Sequence, residues 1–351
     1  MSENTNATET YKMNACYLEY NSNVVPENEE QLPLSITLET LKSLNYSAVD
    51  PITRNLNSNI LLKTEEIETD IRIYHFQNEL LPQRVQPATS PNVSINYIEF
   101  LNYSYFNQSV KQNTSNVFYV IQGSGVTKTE YGDFYWSEGD IFVIPYCKND
   151  ICHEALANTP ESSSKTYLLW ANDGPILRYL GAECNKATFE PVVYTKTSVL
   201  NALQEKAFPK DGVTTDHSKP ILNRNGVLLS NPSMISQKFN TLTPTLWSLY
   251  NTIGPNCVQK PHKHNSVALD YCVFSSDDTG LVYTLMGKEL NSDGTIKNPQ
   301  KLIWKKGGVF ITPPGWWHSH VNESTCYAYV FPIQDAGLHT YMNTLDIQFV
   351  N

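Results

Sequence analysis

Glu138-Gly139-Asp140-Ile141-Phe142-Val143-Ile144-Pro145 and Lys306-Gly307-Gly308-Val309-Phe310-Ile311-Thr312-Pro313 are one pattern written twice. Each has a glycine turn, a run of β-branched and aromatic residues, and a closing proline. Such a repeat is the mark of an internally duplicated protein. Upstream of the first copy, Gly123-Ser124-Gly125 and Tyr131-Gly132-Asp133 separate further apolar runs. The turns recur about every eight to ten residues, the rhythm of short antiparallel strands in a barrel or jelly roll. Around the second copy the same rhythm runs through Thr245-Leu246-Trp247-Ser248-Leu249-Tyr250, a strand with two histidines, and a hairpin with a long loop at Asn291-Ser292-Asp293-Gly294. An all-β chain of two similar barrels with a few short helices is the expected architecture.

Working outward, the expected divisions are an extended or disordered polar segment over 1–30, a first barrel over 31–182, a connection over 183–226, and a second barrel over 227–351. Apolar residues at 34, 38, 41 and 44 predict a short helix. A strand is expected at Ile71–Phe76, helical turns at Gly174–Gly181 and a helix over Ser198–Ala207. With 21 Tyr, 13 Phe and 6 Trp in 351 residues, the composition agrees with β-structure.

The net charge of -10 excludes nucleic acid and an anionic membrane surface as partners, since both call for a basic face. No apolar signal core and no long apolar span is present, so a cytoplasmic protein is expected. The seven cysteines are odd in number and contain no C-x-x-C pair, so free thiols are expected. Cys147, Cys152 and His153 lie near one another but match no zinc spacing.

Four of the eight histidines fall in two short windows, Pro261-His262-Lys263-His264 and Trp316-Trp317-His318-Ser319-His320. Residues two apart on a strand share a face, so His262 and His264 offer two imidazoles to one point and His318 supplies a third. In the first half no H-x-H precedes His153; residues 111–116 are read as filling that place, and no metal is expected there.

Taken together, H-x-H in one strand, P-x-x-W-x-H in a later one and two jelly-roll halves resemble a bicupin, most like the gentisate, salicylate and 1-hydroxy-2-naphthoate dioxygenase group. That group's metal-bearing half typically reads H-R-H-T-Q-S-A-L-R-F, G-D-F-V-L-T-P and W-H-D-H. Here His262-Lys263-His264-Asn265-Ser266-Val267-Ala268-Leu269-Asp270-Tyr271, Gly308-Val309-Phe310-Ile311-Thr312-Pro313 and Trp317-His318-Ser319-His320 match it. The resemblance covers roughly residues 95–345 and implies two double-stranded β-helix barrels. Two departures stand out. The family carries its metal half first, whereas here the pattern comes second, and the family's Arg six residues after the second histidine is Asp270.

The resemblance implies one divalent metal on His262, His264 and His318, with open positions for a small-molecule substrate and O2. Such a site suits Fe(II), with Zn, Mn, Ni or Cu as alternatives. It implies a role for His320 beside bound oxygen, against a strand histidine pointing away. Asp270 has three readings: it binds a cationic group of the substrate, acts as a fourth ligand, or pairs with a neighbouring Lys or Arg. Trp247 and Trp317, adjacent to the motif strands, are the candidate walls of a substrate pocket. The expected function is Fe(II)-dependent cleavage of a C-C bond in a chelating, aromatic, amino-substituted small molecule by a homo-oligomer, dimer or tetramer. The alternatives are a non-oxidative metal-dependent isomerase, hydrolase or lyase, or a non-catalytic small-molecule-binding bicupin.

Overall fold

The computed structural model describes residues 35–36, 52–53, 60–68, 70–79, 81–100, 104–156, 165–207, 225–275 and 280–350. Residues 43–199 form one compact unit; residues 200–351, with 1–42, form the other.

In the first unit, alternating apolar strands build two antiparallel sheets. The larger runs Val192–Tyr194, Ile141–Pro145, Ser115–Gln122, Thr166–Asn172, Ser94–Phe100, Ile71–Asn78, Ile60–Glu68 and Ile52–Thr53. The smaller runs Tyr105–Gln108, Ile151–Leu156, Ser124–Thr129 and Gly132–Ser137. Their facing sides enclose Ile98, Phe100, Phe106, Val110, Phe118, Trp136, Phe142 and Ile151 in one apolar core.

The second unit repeats this order. Ser35–Ile36, Val309–Thr312, Ala268–Phe274, Ala328–Gln334, Trp247–Ile253 and Asn225–Leu228 make one sheet. Gln300–Ile303, Val282–Gly287, Trp317–Asn322, His262–His264 and Ile347–Phe349 make the other. Cys272, Val282, Met286, Trp304, Phe310 and Val330 pack between them. The quoted repeat falls on equivalent strands, Ile141–Pro145 and Val309–Thr312. Gly139 and Gly307 before them adopt φ of +91° and +80°, which a side chain would disfavour. Each barrel then ends alike, in helices Gly174–Leu180 and Ala336–Tyr341, preceded by Asp173 and Asp335. Both aspartates accept a backbone N–H across the barrel: Asp173 from Ser115, Asp335 from Val267. This is an all-β bicupin fold.

Several local expectations shift. Of the helix predicted over 34–44, Ser35 and Ile36 form a two-residue strand paired with Phe310 and Val309; the rest lies outside the described residues, as do residues 1–30. A helix spans Lys196–Ala207. The expected connection contributes a strand, since Val192–Tyr194 pairs with Ile141–Val143. Among the described residues no helix is long and apolar enough to cross a membrane. The six described cysteines are free thiols.

Candidate metal centre

His262 and His264 sit on a three-residue strand that pairs with Ile347–Phe349 on one side and, through His262, with His318 on the other. The register brings the three rings together, with centroids 4.0 Å apart for His262 and His318 and 4.9 Å for His264 and His318. One nitrogen from each lies within 4.8 Å of the others, and the rings are 5%, 5% and 2% exposed. A metal bonds imidazole nitrogen at about 2.1 Å, so shifts of less than about 1 Å in each ring suffice to close on one ion.

The surrounding backbone orients the rings. His264 Nδ1–H donates to the Ser266 carbonyl at 2.8 Å, and His318 Nδ1–H to the Trp316 carbonyl at 3.1 Å. With the proton held on Nδ1, the Nε2 lone pair of each ring is left for a cation. Ser266 is itself fixed by donating its hydroxyl to Gln334 at 2.9 Å. Two imidazoles oriented in this way, with the His262 ring beside them, fit a divalent transition metal; no other cluster of His, Cys, Asp or Glu among the described residues has that arrangement.

His320 lies two residues on, on the same face, with its ring centroid 5.6 Å from that of His318. Its Nδ1 meets the Thr284 hydroxyl at 2.8 Å, and Thr284 accepts the Trp304 indole N–H at 2.7 Å. The threonine hydroxyl thus ties the indole and the imidazole together and fixes the position of the His320 ring. His320 lies beside the triad, outside the group of converging metal-ligating atoms.

Even spacing from His262 and His264 would set Asp270 on their face of a single strand, but it reaches the barrel interior from a separate strand, Ala268–Phe274. The chain turns between His264 and Ala268, so even spacing across that turn carries no meaning. Asp270 instead alternates with core residue Cys272 and pairs with core residue Phe310. It is buried and accepts the Thr312 hydroxyl at 2.7 Å, and it is outside the group of converging metal-ligating atoms.

Trp247 is buried on the barrel-side face of its strand, paired with Gln334. Trp317 is placed otherwise. It alternates with His318 and His320, which turns it to the opposite face, and Lys263 Nζ lies 4.9 Å from its ring centre. The expectation that Trp317 walls the same pocket does not survive this alternation. Asn251, not singled out from sequence, shares the face of Trp247. Its carboxamide lies over Gly226, where an added Cβ would sit 2.2 Å from Asn251 Oδ1. The Trp247 Nε1 and Asn251 Nδ2 donors are buried without an acceptor among the described residues. Thr284, Thr312 and Asn251 were missed because each is an ordinary strand residue until pairing sets it opposite its partner.

In the first barrel His153 is buried and, among the described residues, belongs to no group of converging metal-ligating atoms. Thr127 and Gln108 hold its two nitrogens at 2.8 and 2.9 Å.

No protein-family model matches the chain, and no curated protein sequence does. Solved structures match it along most of its length. Salicylate 1,2-dioxygenase from Pseudoaminobacter salicylatoxidans in its adducts with gentisate superposes with a TM-score of 0.67 at 14% identity, over 93% of this chain and 87% of that one. A further structure of the same enzyme gives 0.65 at 12% identity over 99% of both chains. A mutant form of that enzyme gives 0.65 at 13% identity over 93% and 91%. The chain thus shares the bicupin fold of these dioxygenases, at an identity that speaks for the fold.

Proposed function

We propose that this chain is an Fe(II)-dependent cupin dioxygenase that uses O2 to cleave a C-C bond of a chelating aromatic small molecule. The observation that carries the reading is the convergence of His262, His264 and His318 in the barrel of a bicupin fold. When bound, Fe(II) supplies the redox chemistry that lets a chelating substrate react with O2.

The chain's own residues do the rest. His264 and His318 present Nε2 because their Nδ1 protons are held by the Ser266 and Trp316 carbonyls. His320 offers Nε2–H to an oxygen of the substrate on which negative charge develops. Trp247 Nε1–H and Asn251 Nδ2–H take substrate hydroxyl or carbonyl oxygens, relieving two buried donors that each cost about 1–3 kcal/mol when unmet. Asp270 stands where the resembled family carries Arg. A buried carboxylate there favours a ring with an amino or other cationic group and repels a ring carboxylate.

Metal analysis of the purified protein, followed by oxygen uptake over a panel of hydroxy- and amino-substituted aromatics, tests this. His262→Ala is expected to lose bound metal and oxygen uptake together. Rapid turnover of gentisate would count against the role of Asp270, and turnover under strict anaerobiosis would replace the oxidative reading by Lewis-acid chemistry.

A further inference from the structure

The metal-bearing sheet of the second barrel carries one strand more than its counterpart. In the first barrel, Tyr105–Gln108 ends the smaller sheet among the described residues. In the second, the corresponding strand His262–His264 pairs on its outer side with the C-terminal strand Ile347–Phe349. The register sets Phe349 opposite His262 and Ile347 opposite His264. Residues directly opposite in an antiparallel pair share a face, so both apolar side chains stand on the face of the histidines.

Phe349 uses that place. Its ring stacks on that of His262, with centroids 5.6 Å apart and planes 13° from parallel, an offset arrangement that aromatic rings favour. His264 and His318 are oriented through Nδ1 by the Ser266 and Trp316 carbonyls. For His262 the orienting surface is a ring. His262 is 5% exposed and Phe349 38%, so the phenyl group is the outer member of the stack. Ile347 joins the apolar cluster of Trp247, Ala336 and Leu345.

The strand is tied at both ends. Asn265 N–H donates to the Asp346 carbonyl at 3.1 Å, Asp346 N–H to Asn265 Oδ1 at 2.9 Å, and Asn265 Nδ2 to the Thr344 carbonyl at 2.7 Å. At the other end, Val350 N–H donates to the Pro261 carbonyl at 3.1 Å. The connection between strands Val282–Gly287 and Gln300–Ile303 also reaches it: a Cβ added to Gly294, at φ +81°, would meet Val350 Cγ1 at 2.7 Å. These ties hold residues 344–350 along the ligand strand.

We propose that the C-terminal strand is a strap for the metal centre, in which Phe349 is a positioning residue that holds the His262 ring ready for the ion. This rests on the reading of His262, His264 and His318 as metal ligands. A ring already held by stacking has less rotamer freedom to lose when the ion binds, so the strap acts on metal affinity.

The probe is Co(II), titrated into the full-length chain after chelator treatment and followed by its visible absorption, which reports the geometry of its ligands. The parent is expected to take up one ion. Phe349→Ala is expected to bind it about fivefold more weakly and with shifted absorption bands. Phe349→Tyr, which keeps the ring, should restore both affinity and bands. Parent-like affinity and bands in Phe349→Ala would overturn the strap and leave the metal reading intact, as would an equal loss in Phe349→Tyr. No uptake of Co(II) by the parent would overturn both.

Discussion

The two barrels share one framework and differ at a few positions that decide whether the interior carries aromatic and aliphatic groups or a cluster of histidines. In both, a tryptophan indole donates to a threonine that faces a histidine: Trp136, Thr127 and His153 in the first, Trp304, Thr284 and His320 in the second. The distances agree to within 0.2 Å, at 2.9 and 2.8 Å against 2.7 and 2.8 Å. Around that common element the residues diverge. Gln108, paired with Ile151, holds the register position of His262, paired with His318. Two residues on from Gln108, Val110 lies in the apolar core, whereas His264 brings a nitrogen within 4.8 Å of those of His262 and His318. Phe118 stands where the second barrel has Asp270, each opposite the phenylalanine of the repeat.

The consequence for the first barrel is a closed interior. Phe118 stacks on Phe142 at 4.7 Å and meets His153 edge-on at 5.0 Å. Gln108 Oε1 accepts the Nε2 proton of His153 at 2.9 Å, and Thr127 holds its Nδ1. The histidine therefore belongs to the common framework rather than to the metal site: as a satisfied core group it needs no ion. The place of the missing H-x-H is accordingly Gln108 and Val110, rather than residues 111–116, because pairing with Ile151–Leu156 sets the correspondence.

The comparison is most directly broken by giving the second barrel the residues of the first. The triple change His262→Gln, His264→Val and His318→Ile is expected to abolish metal binding outright in metal analysis. Thermal stability should be kept, because buried imidazoles give way to a hydrogen-bonding amide and apolar groups. A variant that still retains stoichiometric metal would show that the site lies elsewhere.

Acid sharpens the contrast next. Burial pushes His153 down to about 3. Its folded value lies below the ordinary 6.5, so the unfolded chain binds the extra proton. The stability it contributes is complete above about pH 6.5 and is lost as pH falls towards 3, at about 1.4 kcal/mol per pH unit. Denaturant titrations across this window should show that slope, and His153→Gln should flatten it. An unchanged slope in that variant would assign the acid sensitivity to other groups.

The smallest effect concerns the shared threonines. Thr127→Val and Thr284→Val each strand an indole N–H and a ring nitrogen, for a loss of about 1–3 kcal/mol in unfolding free energy. The losses should be similar in the two barrels. Only Thr284→Val should also lower oxygen uptake, with Thr284→Ser restoring it. Equal, purely structural effects would leave His320 with no more than the role of His153.

Much of this was legible in the sequence. The glycine-punctuated repeat ending at Pro145 and Pro313 sets the duplicated all-β fold, because strand period and turn chemistry are local. H-x-H on one strand and the later W-x-H mark out His262, His264 and His318 as a candidate group, and the three do converge. Three-dimensional pairing was needed for the rest. Trp317 looked like a pocket wall until its strand's alternation turned it outward. Asp270 reached the interior through its own strand, and Thr284, Asn251 and Gln108 acquired meaning only from the residues opposite them.

His262-Lys263-His264 and the double repeat are thus determined by the chain alone, since periodicity and residue type act within a few positions. The closed first barrel and the Trp304, Thr284 and His320 chain of the second were decided by tertiary structure. Each depends on which residue a strand meets across the sheet, and register is a property of the folded pair.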